Sequence, residues 1–374
     1  MEQVLYSLPD GWKYQKLKTL IKMHYGKALK ATDRIEGEVP VYGSNGVVGS
    51  HNEHLWDQPT VVIGRKGSVG EANLAFTPSW TIDTAYYVEI IDHKVLNLMY
   101  FYYFADRFDV SSISQKGVKP GINRNDYLNL SFPLPPINEQ ERIVEKLDAL
   151  LTRIDTAIEH LQSKLDLSKQ LFDSVLDEFF KLSDCDSVPL TEVVNFIGGS
   201  QPPKSQFSDV QKEGYVRLIQ IRDYKTDNHI VYVDSASTKK FCTKDDVMIG
   251  RYGPPVFQIL RGLDGAYNVA LMKAVPNEDV LTKDYLFWFL QSPSIQNYVI
   301  GISQRAAGQS GVNKKALEKY LIPVPSKTIQ NDIVDKVGQL VNKSRSLEAE
   351  VTAEITSLNQ LKASILDSAF KGEL

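Results

Sequence analysis

The sequence predicts an α+β protein with a pseudo-twofold internal repeat, in which two mixed α/β globular domains are joined by two long antiparallel coiled-coil helices. Three observations predict this fold class. Residues 132–181 return at residues 322–371 without a gap. Each copy contains a long helix-forming segment with apolar residues at heptad spacing. A longer segment with mixed strand and helix patterns precedes each copy.

The repeat is clearest where a proline-rich element leads into a helix. The first copy reads FPLPPINEQERIVEKLDALL and the second reads IPVPSKTIQNDIVDKVGQLV. Pro133 matches Pro323 and Gln140 matches Gln330, at a constant offset of 190 residues. Because the register holds across the whole stretch, the chain is predicted to contain two copies of one structural module.

The helical segments carry a seam of apolar residues. Residues 140–181 contain neither proline nor glycine. The first seam consists of Leu147, Leu151, Ile154, Ile158, Leu161, Leu165, Phe172, Val175 and Phe179. The second, less regular seam consists of Val337, Val341, Leu347, Val351, Ile355, Leu358, Leu361 and Ile365. A seam of this kind needs a partner, so we predict that the two helices pair; an ordinary core helix is the alternative.

The repeat divides the chain into four parts. We predict globular domains at residues 1–137 and 187–328, and spacer helices at residues 138–186 and 329–374. The aromatic blocks YFYYF and YLFWF, from Tyr100 and Tyr285, are predicted to form buried helices. Short apolar or alternating stretches are predicted to form strands at residues 17–21, 60–63, 86–91, 190–194, 215–221 and 230–233.

The formal net charge of −4 is unevenly distributed. The helical parts carry −6 and −2, whereas the two globular parts carry 0 and +4. The acidity therefore belongs to the helices, and the overall charge does not exclude a nucleic-acid partner.

Familiar catalytic patterns are missing from the sequence. Gly64 to Gly70 lacks the Gly-Lys-Ser/Thr ending of a phosphate-binding loop, and no Gly-x-Ser-x-Gly elbow is present. Two cysteines cannot supply a four-thiolate zinc site, and no carboxylate–cysteine set accompanies His51 and His54. We predict a chain with no active site, no metal and no cofactor of its own.

The sequence also predicts the compartment. No signal-peptide pattern opens the chain, and its densest apolar stretches are too short to cross a bilayer. With two cysteines and no disulfide framework, the prediction is a cytoplasmic protein without a membrane partner.

Side-chain chemistry selects candidate contacts for a nucleic-acid partner, which the charge leaves open. Base edges are read best by Arg, Asn, Gln and Lys, and phosphates are held by cations and small hydroxyls. The first globular part offers Tyr42, Ser44, Asn45, Arg65, Lys66, Ser68, Gln115, Lys116, Lys119, Asn123 and Arg124. The second offers Gln220, Arg222, Arg251, Tyr252, Gln304, Arg305, Gln309, Asn313, Lys314 and Lys315. Any one of them could instead be an ordinary solvated turn residue.

Several motifs resemble those of the specificity subunits of type I restriction–modification enzymes. They include LPDGW at 8–12, YGSNGVVG at 42–49, IGRKGSVG at 63–70 and TIDTAYYV at 81–88. FPLPPINEQERIVEKLD at 132–148 is the most specific, and SILDSAFKGEL closes the chain. The resemblance covers essentially the whole chain, and the ordered duplication carries most of its weight.

The resemblance implies a function for each part. The globular parts would be target-recognition domains, each binding one half of a bipartite double-stranded DNA sequence. The helices would set the gap between the halves and dock two methyltransferase subunits, through which motor–nuclease subunits join. S-adenosylmethionine would belong to the methyltransferase subunits.

Two other classes of function remain open from the residues alone. One is a non-catalytic coiled-coil adaptor whose globular domains bind protein instead of DNA. The other is an enzyme with an unrecognised site, such as a nuclease that uses Asp, Glu and Lys. Because the two globular parts differ in sequence, the DNA-reading hypothesis further predicts an asymmetric target with unlike halves.

Overall fold

The computed structural model describes residues 6–115, 121–181, 185–253, 255–303 and 311–374. The chain forms two compact units: one contains residues 1–162 and 352–374, and the other contains residues 163–351. The two long helices contribute residues to both units. Each unit contains one mixed α/β domain, the start of one long helix and the end of the other.

The first unit is built on one antiparallel sheet, which is covered by a helix, and a smaller mixed sheet. Its elements are β1 Lys13–Lys16, β2 Ile21–Tyr25, β3 Val39–Gly43, β4 Gly46–His51, β5 Thr60–Gly64, β6 Ala72–Ala75, β7 Trp80–Thr81, β8 Ala85–Ile90, α1 Leu98–Arg107, β9 Ser114–Gln115, β10 Gly121–Ile122, α2 Arg124–Leu128 and β11 Ser131–Leu134. The main sheet has the order β2-β8-β5-β6, beside a smaller sheet β4-β3-β7 and the pairs β1-β11 and β9-β10.

The first long helix, α3, spans Ile137–Phe179. The second unit then follows with β12 Ser187–Pro189, α4 Leu190–Val193, β13 Val194–Gly198, β14 Tyr215–Ile219, β15 Tyr232–Asp234, β16 Phe241–Cys242, β17 Val247–Gly250, β18 Gln258–Leu260, β19 Gly265–Tyr267, β20 Leu271–Pro276, α5 Lys283–Phe289, α6 Pro293–Ser303, α7 Lys314–Lys319 and β21 Leu321–Pro323. The second long helix, α8, spans Lys327–Lys371.

The main sheets of the two units repeat one topology. The order β13-β20-β17-β18 in the second unit reproduces β2-β8-β5-β6 in the first, and β12-β21 reproduces β1-β11. Both aromatic blocks are buried helices, α1 and α5, as predicted. The fold class predicted from the sequence is therefore confirmed.

The ends of the long helices complete the cores of the two domains. In the first unit, Phe370 near the end of α8 packs against Tyr100 and Phe104 of α1. In the second unit, Phe180, just after α3, packs against Tyr285 and Phe289 of α5. The aromatic block of each unit therefore packs against the C-terminal end of a long helix. That helix begins in the other unit.

Contacts between the long helices give their direction within each unit. In the first unit, Lys362 Nζ lies 2.8 Å from Asp155 Oδ1, and Arg142 donates to the carbonyl of Leu374 at 2.6 Å. In the second, Phe172 and Val341 pack against one apolar core. The residue numbers on one helix rise as those on the other fall, so the helices run antiparallel.

A buried glutamine fixes the start of each long helix to its domain. Gln140 Oε1 accepts from the amide of Asn97, and its Nε2 donates to the carbonyls of Val95 and Pro135, all at 2.9 Å. Gln330 makes the same three bonds with Thr282, Val280 and Pro325 at 2.7–2.9 Å. Both side chains have no exposed surface. The duplicated hydrogen bonds explain why this residue matches between the repeats.

Two strand predictions were wrong in the same way. The apolar stretches at 17–21 and 190–194 begin as short helical turns, Leu17–Thr19 and Leu190–Val193, and the strands start only at Ile21 and Val194. In both turns the leading leucine is fully buried, and its amide donates to a backbone carbonyl, of Leu130 or of Tyr320. Periodicity cannot separate a short buried turn from a short strand.

Asp246 ties β17 to its neighbours and makes the second unit sensitive to acid. Its carboxylate accepts from the Thr243 amide at 2.9 Å and lies 3.2 Å from the ammonium groups of Lys273 and Lys283. Burial alone would raise the pKa of this carboxyl, but these partners together lower it. Its stabilising effect is therefore complete above the usual aspartate pKa, about 3.9, and is lost as the pH falls through the lowered value.

We expect Asp246→Asn to flatten the loss of stability on acidification below about pH 4, because the variant has no carboxyl to protonate there. Urea unfolding at pH 3 and pH 7 measures this difference. Asp245→Asn is the matched control at an exposed neighbour. An acid-induced loss in Asp246→Asn as large as in the unaltered chain would contradict this role.

Candidate nucleic-acid interface

The Gly-Arg turn after β5 brings together many of the predicted residues of the first unit. The Ile122 amide donates to the Arg65 carbonyl at 3.2 Å, and Lys66 forms an antiparallel bridge with Gly121. This pairing holds the segment that leads into α2 beside the turn. Asn123 and Arg124 therefore lie next to Arg65 and Lys66.

The second unit builds the same turn from different residues. The Val312 amide donates to the Arg251 carbonyl at 2.9 Å, and Tyr252 bridges Gly311. The arginine side chains are also anchored alike, because Arg65 Nη1 donates to the Asp83 carbonyl at 3.2 Å and Arg251 Nη1 donates to the Val269 carbonyl at 3.3 Å. The two Gly-Arg motifs are structural equivalents.

The residues that open α2 and α7 are also equivalent. The side chains of Asn123 and Asn313 accept backbone amides as helix N-caps. Arg124 Nη1 then reaches the Met23 carbonyl at 3.5 Å, and Lys314 Nζ reaches the Phe196 carbonyl at 2.9 Å. The asparagine side chains thus cap the helices. The cation that follows each asparagine bonds to a carbonyl of the neighbouring strand.

The hairpin between β3 and β4 lies beside the first turn. A Cβ placed on Gly64 would lie 1.9 Å from the carbonyl oxygen of Ser68 and 2.8 Å from that of Ser44, so only glycine fits there. This close approach brings Ser44 next to Arg65, and Asn45 is exposed at the hairpin tip. Tyr42 supports the hairpin from behind: its hydroxyl donates to the Leu74 carbonyl at 3.1 Å, and burial raises its pKa.

A buried carboxylate shapes the corresponding loop of the second unit. The Gln220 amide donates to Asp223 Oδ2 at 2.9 Å, while Arg222 donates to the His229 carbonyl at 3.4 Å. Burial raises the pKa of Asp223, whose side chain has no exposed surface. The Ile221 side chain lies 3.3 Å from the position of a Cβ on Gly250, the residue before Arg251, so this loop approaches the second turn.

The described candidates are all accessible in some degree. Asn45, Lys66, Asn123, Arg222, Tyr252, Asn313, Lys314 and Lys315 are exposed. Tyr42, Ser44, Arg65, Ser68, Arg124, Gln220 and Arg251 are half-buried. Gln115 is described only by its backbone, which pairs with Gly121 in β9-β10. Lys116, Lys119, Gln304, Arg305 and Gln309 lie outside the described residues.

Tyr25 belongs to this surface, although sequence reasoning missed it. It is 51% exposed at the end of β2, and its ring lies 5.0 Å from the Arg65 guanidinium and 5.3 Å from that of Arg124. Strand alternation places Tyr25 on the same sheet face as Ile21 and Met23, which are buried. An aromatic residue that ends a strand just before a glycine was the available signal.

No helix in the described ranges is long and apolar enough to span a bilayer.

The two units carry unlike polar and cationic side chains on one repeated framework, an arrangement suited to a two-domain DNA-binding protein. The model of the type I restriction modification DNA specificity domain matches residues 9–166 and 183–357. The chain belongs to this family and is the non-catalytic, sequence-reading specificity subunit of a type I restriction–modification complex. The match does not favour the alternative of a coiled-coil adaptor whose globular domains bind protein instead of DNA.

Known relatives are similar to this chain over nearly its full length. The type I restriction enzyme EcoBI specificity subunit of Escherichia coli is 25% identical, over 99% of this chain and 88% of that protein. A solved chain from a study of complex assembly in a type I R-M system matches with a TM-score of 0.77 and 19% identity, covering 99% of this chain and 100% of its own. The HsdS subunit from Thermoanaerobacter tengcongensis gives 0.55 and 21%, with 99% of each chain covered.

Proposed function

We propose that each domain reads one half of a bipartite, asymmetric sequence in double-stranded DNA. The observation that carries this proposal is the Gly-Arg turn, which has the same backbone in both units and different side chains around it. Lys66 and Arg124 in the first unit stand where Tyr252 and Lys314 stand in the second. Two turns with the same backbone but different side chains are suited to half-sites that differ in base sequence.

The DNA-contacting set that we propose is the one predicted from the sequence. Guanidinium and amide groups on exposed loops can reach base edges, while Lys66 and Lys315 are suited to phosphates. The anchored arginines are the strongest members. Their bonds to backbone carbonyls restrict the side chains before DNA arrives and so lower the entropy cost of binding.

We further propose that the paired helices set the length of the gap between the half-sites. The proposed boundaries are residues 1–137 and 187–328 for the recognition domains, and residues 138–186 and 329–374 for the spacers. Two readers joined by a stiff spacer favour half-sites separated by about one turn of DNA. The DNA between them would be spanned without base contacts.

The repeat also suggests the partners. Leu171 on α3 and Leu361 on α8 occupy equivalent repeat positions and are 64% and 49% exposed, although the heptad pattern placed Leu361 in the pairing seam. Two equivalent apolar positions are suited to two copies of one partner. We propose that these are two methyltransferase subunits, through which motor–nuclease subunits join, and that the complex acts on DNA in the cytoplasm.

Methylome sequencing tests this function. The chain would be co-expressed with candidate methyltransferase subunits, in a host that otherwise lacks adenine and cytosine methylation. We expect one methylated motif made of two unlike halves and a fixed unspecified gap. The same methyltransferase without this chain is the control and should leave the DNA unmarked. A palindromic motif, or no motif despite an assembled complex, would contradict the proposal.

A further inference from the structure

The ring of Tyr25 lies close to two cations from different parts of the chain. Arg65 comes from the turn after β5 and Arg124 from the first residue of α2, yet both guanidinium groups lie within 5.3 Å of this ring. The ring itself rests on Tyr86, with a centroid separation of 5.1 Å. Tyr86 is buried, and its hydroxyl donates to the Ile122 carbonyl at 3.1 Å. A rigid core residue therefore supports an exposed aromatic platform.

The platform has an electrostatic role. The negative face of an aromatic ring attracts guanidinium groups, so it favours positions of both arginines close to the ring. A guanidinium group that lies against a ring keeps N–H groups on its edge for bidentate bonds with guanine or phosphate. The Arg124 Nε is buried and has no hydrogen-bond partner among the described residues, so the ring is an important part of its environment.

At the described position that corresponds to Tyr25, the second unit has no aromatic ring. Its counterpart of Tyr25 is Gly198, because Gly26 and Gly199, the next residues, are equivalent: a Cβ on either would lie 2.0 Å from a carbonyl oxygen, of Ile82 or of Asn268. In the second unit the ring beside Arg251 comes from its chain neighbour Tyr252, at 5.1 Å. The two units therefore support equivalent arginines with rings from different elements.

We propose that Tyr25 is a specificity-determining positioning residue, which presents Arg65 and Arg124 together to the half-site read by the first unit. This inference rests on the proposed function. It implies that the two half-sites differ in sequence partly because the ring that supports the arginine comes from a different element in each unit. Tyr25 acts through the two arginines, so its loss should relax recognition of one half-site and leave the other unchanged.

The test uses the complete complex with its methyltransferase subunits and the motif obtained from the methylome. Binding is measured at one salt concentration to the cognate duplex and to duplexes altered in either half. We expect Tyr25→Leu to lose about tenfold in discrimination at a single half-site, the size of a lost or misplaced base contact. Tyr25→Phe should retain the discrimination. Phe76→Leu is the matched control at another aromatic, 62% exposed, in the same unit.

A double-mutant cycle separates positioning from a general structural effect. If Tyr25 acts through the two arginines, Tyr25→Leu should add little to the loss caused by Arg65→Ala and Arg124→Ala together. Unchanged discrimination in Tyr25→Leu, equal losses at both half-sites, or additive losses in the combined variant would overturn the inference. If the Tyr25→Leu variant does not assemble, Tyr25→Met takes its place. Its discrimination at each half-site is then compared with that of Tyr25→Phe, and the same outcomes apply. An unaltered complex that binds altered and cognate duplexes equally would instead overturn the proposed function and, with it, this inference.

Discussion

Replacing Gln140 with leucine is expected to lower the free energy of unfolding of the first unit by about 3 kcal/mol or more. The substitution leaves the Asn97 amide and the carbonyls of Val95 and Pro135 buried without their partner. Each unpaired buried group costs about 1–3 kcal/mol. Denaturant unfolding followed by circular dichroism measures the loss.

The repeat supplies both a second test and a control. Gln330→Leu should cause a similar loss in the second unit, because its three hydrogen bonds are the same. Gln162→Leu, at an exposed position on the same helix as Gln140, should change the stability by less than about 0.5 kcal/mol. A loss below about 1 kcal/mol in both buried variants would contradict this role of the glutamines.

Arg65→Ala should weaken binding of the cognate duplex by about 10- to 100-fold at fixed salt, and should remove discrimination at one half-site only. Arg251→Ala should do the same at the other half-site. The reason is that each arginine is anchored at the same place in its own turn. Fluorescence anisotropy with duplexes altered in one half at a time measures both effects.

The control for loss of charge is Lys94→Ala, at an exposed cation of the first unit outside the turn. It should lower affinity slightly and equally for all duplexes, if at all. Loss of recognition at the same half-site in both arginine variants would show that the two turns do not read separate halves.

Much of the fold could be predicted because the repeat and the heptad seam are long-range signals. The helices Ile137–Phe179 and Lys327–Lys371 follow from segments with continuous helix-forming sequence. The helical turn at Leu17–Thr19 could not be predicted, because the amide of its leucine donates to the carbonyl of Leu130, more than a hundred residues away. Such a contact leaves no local pattern.

The candidate site was predictable in chemistry and less so in geometry. Arg65, Arg124 and Arg251 could be selected as cations in polar, glycine-bearing segments. The capping role of Asn123 and the supporting role of Tyr42 depend on where neighbouring backbone groups lie. Tyr25 depends on three segments meeting at one sheet end, which no spacing within the sequence specifies.

The most direct test of the central claim is to vary the gap between the half-sites. With both half-sites unchanged, duplexes would carry the native gap or a gap one or two base pairs longer or shorter. We predict tight binding and methylation only at the native length, because each added base pair rotates one half-site about the DNA axis as well as moving it away. Equal binding across these gap lengths would contradict the claim that paired helices hold two separate readers at a fixed spacing.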